Sequence, residues 1–363
     1  MLMNRQRQHF NILNERLNEI QNFITLIDLQ KKLFVEYNKT DDKSNIPLLH
    51  IEDYCKLSET LGNSRVQYNA AIISIYACFE NYIDDLAKSY VEFYLFNIMN
   101  FEELPLKTKE TYLRNAGEFL TNPHRYSGIE LTSSDIIKRL SDNISDIHET
   151  PLQYEFVLKH SGNLKIDNLA ELFKNIGIDS LISKLKCNYI FMRYTSEIKN
   201  ISLDCISETL SLSNDIFNNL DKLVNARNNV AHGWIDYERI SYKSLIYDMI
   251  PFIRVLCNAL LEITLASSFY LLQTKGKLVE YDAPIAVYNK NILCINTKSS
   301  KLRAYDYIFY IDTSSQKHIT QINELQIDGK PQSEIVVPNV KVGINLDRPI
   351  KDTYKFYYIN TMN

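Results

Sequence analysis

Apolar residues recur at intervals of three and four along roughly the first three quarters of the chain, then at intervals of two. The first spacing lines one face of an α-helix and the second one face of a strand. Phe10, Leu13, Leu17, Ile20, Ile24 and Ile27 predict a helix over 8–38. Its heptad-like seam lasts only about two and a half repeats, which suits one face of a bundle better than a coiled coil. Ile72, Ile75, Tyr76, Phe79, Ile83, Leu86, Ala87 and Tyr90 predict a longer helix over 66–99. Glu80 lies at the edge of that stripe, about 70° from its centre. Periodicity is then lost over 101–131, where Asn122-Pro123 and Ser127-Gly128 mark a loop.

Ser133 or Ser134 is placed to cap a helix reaching about residue 147, and Pro151 opens a short helical stretch. Two short helices, 167–175 and 180–186, flank Gly177, and 188–211 reads as mixed. Ser213 or Asn214 suits the N-cap of a helix that puts Phe217, Leu220, Leu223, Val224, Val230 and Ala231 on one side. Gly233 suits its end. A long helix follows over 240–273, with a kink expected at Pro251. Thr274-Lys275-Gly276-Lys277 breaks the helical pattern. Beyond it, Tyr305, Tyr307, Phe309 and Ile311 alternate, followed by strand-like runs at 335–337, 340–344 and 356–359. Asp328-Gly329 and Asn289–Asn291 are turn signals. The expected fold is mainly α, a helical bundle over residues 1–274, with a small all-β domain over 275–363.

Composition changes this picture little. The 363 residues suit two domains, and 45% hydrophobic with 23% charged is ordinary for a globular chain. The net charge of −4 does not announce a nucleic-acid binder. Residues 275–363 carry 12 Lys+Arg against 9 Asp+Glu, and the rest of the chain is acidic. The six cysteines form no C-x-x-C pair and have no histidine at ligand spacing, so neither a zinc site nor a disulfide framework is expected. Most lie in apolar runs, where a free cysteine serves as a small core residue. The N-terminus has no signal-peptide apolar region, and 256–272 is interrupted by Asn258, Glu262 and Thr264. These features suit a soluble cytoplasmic protein.

One stretch raises a chemical question: ARNNVAHGW, residues 226–234. Arg227 projects from the middle of the apolar stripe of its helix, and a guanidinium is rarely buried without a partner. Asn228 lies four residues before His232 and shares its face. The pattern resembles the R-polar-x-x-x-H signature of the HEPN superfamily of helical ribonucleases. Leu220–Val224 before it, the long helix after it, Phe79-Glu80, and the Ser161–Ile178 stretch with Asn168 and Ile176-Gly177 are similar to the MAE_28990/MAE_18760-type group. The resemblance spans roughly 60–272. It implies RNA cleavage without a cofactor or metal, by a homodimer that pairs two motifs, in a toxin or anti-phage setting with a restraining partner protein. Catalysis would fall to Arg227, Asn228 and His232, with Asn229 and Glu80 in support. Some HEPN toxins carry a tyrosine two residues after the motif histidine, which a partner nucleotidyltransferase modifies. Here that place holds Trp234, and Tyr237 is not equivalent, so this regulation is not expected.

The chemistry can be argued from the residues too. RNA carries its own nucleophile, the 2′-hydroxyl. Cleavage needs a base for that proton, an acid for the 5′-oxygen and positive charge at the phosphate. A histidine suits proton transfer near neutral pH, and an arginine fork suits phosphoryl oxygens. The plainer readings are a structural Arg227–Glu80 ion pair and a His232 stabilised by the helix dipole. The other histidines read as surface residues. Tyr305, Tyr307 and Phe309 are expected to face a core, and Lys298, Lys301 and Arg303 to sit at a solvated hairpin tip. The alternative function is a non-catalytic module that binds RNA, nucleotide or a partner protein through the same helical cleft.

Overall fold

The computed structural model describes residues 2–39, 63–98, 101–122, 132–144, 153–158, 163–203, 205–206, 210, 215–233, 238–298 and 301–359. The chain forms two compact units, one of residues 1–89, 105–136 and 153–259, the other of 90–104, 137–152 and 260–363. The principal helices are α1 (Leu2–Lys39), α2 (Asn63–Asn97), α3 (Leu106–Thr121), α4 (Ser133–Ile144), α5 (Ile166–Asn175), α6 (Leu181–Cys187), α7 (Tyr189–Lys199), α8 (Asn218–Ala231), α9 (Ile250–Ser267) and α10 (Phe269–Thr274). The fold is thus helical with a C-terminal antiparallel sheet, the class the spacing predicts.

In the first unit the predicted stripes are the core. Leu13, Leu17, Ile24 and Ile27 of α1 are buried, as are Ile72, Ile75, Phe79 and Ile83 of α2. Phe10 meets Tyr82 edge-on with ring centroids 6.0 Å apart, and the Tyr82 hydroxyl donates to the Cys257 carbonyl at 3.1 Å. Each large apolar side chain so buried contributes about 1.5–3 kcal/mol, which outweighs intrinsic helix propensity.

Helix α3 lies where periodicity is lost. Its buried face includes Thr108, Thr111 and Asn115, so a hydrophobic count misses it. Thr111 donates to Asn175 Oδ1 at 3.1 Å and Asn115 Nδ2 to the Phe156 carbonyl at 2.6 Å, so two of these three buried polar side chains are bonded, and the Thr108 hydroxyl has no partner among the described residues. Helix α4 is capped one residue earlier than expected. Thr132 Oγ1 accepts from the Asp135 N–H and Asp135 Oδ2 from the Thr132 N–H, a reciprocal box. The expected Ser213 or Asn214 cap and the Pro151 start lie outside the described residues. At Pro251 the helix widens before the ring. Residues Leu245–Met249 form a π turn, and the Ile250 N–H reaches back to the Leu245 carbonyl. This loosened turn precedes a residue that has no N–H to donate. The run Tyr242–Thr274 is long and apolar enough to cross a membrane by composition, but 72% of its most apolar window is buried, as for a core helix.

The second unit holds ten strands among the described residues: β1 (Leu278–Glu280), β2 (Ala286–Tyr288), β3 (Ile292–Asn296), β4 (Leu302–Arg303), β5 (Tyr307–Ile311), β6 (Lys317–Ile327), β7 (Lys330–Gln332), β8 (Glu334–Ile335), β9 (Lys341–Leu346) and β10 (Lys355–Ile359). The main sheet runs β1-β10-β5-β6-β9-β3-β2, with β7 paired to β6 and β4 to β8. Every pairing in the main sheet is antiparallel. The predicted turns hold: Asp328 and Gly329 have positive φ in the two-residue β6–β7 hairpin, and Asn289 and Lys290 do so in the three-residue β2–β3 loop.

The strand faces differ from expectation. Tyr305 is 55% exposed in a turn, while Ile308 and Tyr310 join the β core. Phe309 packs on Phe269 of α10 instead, at 5.7 Å, so β5 is buried on both faces and alternation misassigns it. Lys301 and Arg303 pair with Glu334, and Lys298 with Asp282. His9 and His318 are not simple surface residues; each meets an aspartate, Asp85 at 3.4 Å and Asp312 at 2.9 Å. Of the cysteines described, Cys257 is buried, Cys78 and Cys294 are partly so, and Cys187 and Cys205 are exposed. The apolar neighbours of the last two in sequence do not enclose them.

Candidate active site

The site is assembled from α2, α8 and the segment before α5. Helix α8 stops where Gly233 takes φ +67 and donates its N–H to the Val230 carbonyl at 3.1 Å. An L-residue there would be strained. His232 is the C-cap, with its N–H on the Asn228 carbonyl at 2.9 Å. Arg65 of α2 donates to the Gly233 carbonyl at 3.3 Å and so ties down the helix end. The first part of the predicted stripe is buried, but Val230 is only half-buried and Ala231 and His232 are exposed. The last turn therefore stands clear of the core.

Arg227 is half-buried and held by neutral groups. Its Nη1 donates to Asn163 Oδ1 at 3.0 Å and to Asn228 Oδ1 at 3.3 Å. Asn163 Nδ2 donates to that same Asn228 oxygen at 2.8 Å and closes a triangle. The triangle fixes the Asn163 amide, since turning it over would set N–H against N–H. The guanidinium carbon lies 5.1 Å from the centroid of the Tyr76 ring, within cation–π range. The Tyr76 hydroxyl accepts from the Leu164 N–H at 3.1 Å and donates to Glu80 Oε1 at 3.1 Å. Burial, with the Glu80 carboxylate also adverse to a phenolate, pushes the Tyr76 hydroxyl up to about 12, so it stays protonated at neutral pH.

This corrects the expected Glu80–Arg227 ion pair. Glu80 bonds Tyr76, and Tyr76 in turn carries Arg227, so the carboxylate acts at one remove. Asn228 does not orient the imidazole; its side-chain oxygen serves Arg227 and Asn163. Asn229 is half-buried, and no side-chain hydrogen bond is formed by it or by His232 among the described residues. Trp234 and Tyr237 lie outside them.

Sequence reasoning missed Tyr76 and Asn163 as site residues. Tyr76 carried a signal: a tyrosine inside an apolar stripe needs a hydroxyl partner, and Glu80 stands one turn away. Asn163 carried none locally. It lies within the resembling 161–178 stretch, and Asn168 holds its carbonyl at 2.7 Å.

An arginine held on an aromatic ring and by two asparagines thus stands five residues before a helix-ending histidine. In comparison with protein families, residues 11–266 match the family described as RiboL-PSP-HEPN. The chain belongs to the RiboL-PSP-HEPN family. No curated protein matches it. Membership establishes the HEPN superfamily but not the MAE_28990/MAE_18760-type subgroup, and it brings a nuclease or RNA-related function. Within this HEPN fold the arginine is held by neutral acceptors and an aromatic ring, and the histidine is exposed at the helix end. Among the described residues no group of three or more His, Cys, Asp and Glu side chains is placed to share a metal ion.

Proposed function

We propose that the protein is an endoribonuclease that uses the 2′-hydroxyl of RNA as nucleophile. The new bond joins O2′ to phosphorus and the P–O5′ bond breaks. The 2′-hydroxyl proton passes to a basic imidazole and a proton reaches the departing 5′-oxygen. The products are a 2′,3′-cyclic phosphate and a 5′-hydroxyl. His232 is the proton-transfer group, worth typically ~10²–10⁴-fold. Arg227 meets the phosphoryl oxygens, Asn228 and Asn229 flank them, and Glu80 supports the arginine through Tyr76. One imidazole does not serve readily as both base and acid, so a homodimer with two motifs facing one RNA is part of the proposal, by analogy with the fold family. The setting proposed is a cytoplasmic toxin or phage-defence effector held in check by a partner protein.

The observation that carries this reading is the guanidinium's remaining edge. Nη1 makes both bonds to asparagine, and Nε and Nη2 have no partner among the described residues. That edge suits two phosphoryl oxygens. The test is purified protein with single-stranded RNA in EDTA. Cyclic-phosphate ends from wild type, absent with a folded His232→Ala or Arg227→Ala, support it. RNA bound tightly and left uncut favours the non-catalytic module, consistent with an exposed His232 that nothing described in the chain orients.

A further inference from the structure

We infer that Asn163 is a positioning residue that works by being neutral: it aims Arg227 at an anion without cancelling its charge. This rests on the reading of Arg227 as the phosphate-binding group. An arginine held this firmly usually sits against a carboxylate, which doubles the strength of the bond. Here both oxygens on Nη1 belong to amides. The nearest acid in the network, Glu80, has an oxygen engaged by the Tyr76 hydroxyl, with the Tyr76 ring beneath the guanidinium. Asn163 is itself anchored from two sides. Asn168 holds its carbonyl at 2.7 Å, and Tyr76 receives the N–H of the next residue, Leu164, at 3.1 Å. The guanidinium is therefore oriented and still carries its full charge.

A carboxylate at this position would have the same shape and the same acceptor toward Arg227, and would lose only the N–H given to Asn228. If Asn163 served only to hold the fold together, Asn163→Asp would be milder than Asn163→Ala, since Arg227 would gain a charged partner against the one bond lost to Asn228. Under the present inference it is the most damaging, because phosphate must then compete with an internal anion. Asn163→Ala differs again: the charge stays free but the side chain is no longer aimed.

The experiment measures binding of a fluorescein-labelled single-stranded RNA across a salt series, with melting temperature and cleavage recorded for each variant. Arg227→Ala and Asn163→Asp are expected to bind at least about tenfold more weakly than wild type, and each to lower the log–log salt slope by about 0.7, the loss of one single-strand phosphate contact. Asn163→Asp is expected to melt no lower than Asn163→Ala, because the new ion pair with Arg227 offsets the N–H lost to Asn228. Asn163→Ala is expected to keep the wild-type slope while its cleavage rate falls. Asn163→Asp binding and cutting like wild type would overturn the inference and leave the nuclease reading standing. Wild type that binds without cutting would overturn the nuclease reading, and the salt slopes would still decide the role of Asn163. Wild type that neither binds nor cuts would overturn both.

Discussion

The Arg227 guanidinium lies over the face of the Tyr76 ring, 5.1 Å from its centroid, and the hydroxyl of that ring is bonded to Glu80. Three side chains from two helices thus form a relay in which the carboxylate reaches the guanidinium only through the tyrosine. Each link can be cut separately.

Tyr76→Phe keeps the ring under Arg227 but leaves the buried Leu164 N–H without its acceptor. The expected loss of stability is about 1–3 kcal/mol, read by thermal or urea denaturation. Cleavage should fall less than with Tyr76→Leu, which also forfeits a cation–π contact worth about 0.5–2 kcal/mol. Equal activity in the two variants would deny the ring any role in holding the arginine.

Glu80→Gln retains an oxygen that can accept from Tyr76. Because Glu80 does not pair with Arg227 directly, cleavage should change by less than about fivefold, the scale of a weak charge effect. A drop of a hundredfold in a folded variant would mean that the carboxylate works on the arginine directly.

In the second unit, Arg348 and Glu262 form a buried ion pair, and Arg348 also donates to both oxygens of Asp347. Arg348→Met leaves two acids without their cation and should cost about 3–5 kcal/mol in chemical denaturation. Adding Glu262→Leu should restore much of that loss. A double variant no better than the single would show that the pair is not energetically coupled.

Asp312 gives that unit an acid-sensitive point. Burial alone would raise its carboxyl, but donors from the Gln316 N–H, the His318 ring and the Ser314 N–H together hold it below the ordinary range. A depressed carboxylate adds stability above the pKa it has when unfolded, and that share is lost as pH falls through the lower folded value. The wild-type melting temperature should therefore drop between pH 5 and the acid limit by more than that of Asp312→Asn. Parallel curves would remove Asp312 from the account.

How much was legible beforehand depended on what each element buries. Helices α1, α2 and α8 turn aliphatic faces inward, and period alone found them. Helix α3 buries threonines and an asparagine and escaped notice, because its partners at Asn175 and Phe156 are distant in sequence. Strand β5 carries core on both faces, which erases alternation. At the site, Arg227 and His232 were visible because a charge in an apolar stripe and a histidine before glycine are local anomalies. Asn163 was not, since its meaning lies wholly in what it touches 64 residues away.

The histidine's place as the C-cap of α8 has a consequence for how this site can change over time. A helix advances about 100° for each residue, so the turn from Arg227 to the glycine stop acts as a ruler. Swapping one small side chain for another inside that interval leaves the ruler intact. Adding or deleting a single residue there would swing the imidazole to another side of the helix while the fold survived. If His232 and Arg227 act together as proposed, a one-residue insertion or deletion between these two marks should therefore cost more activity than any small substitution there.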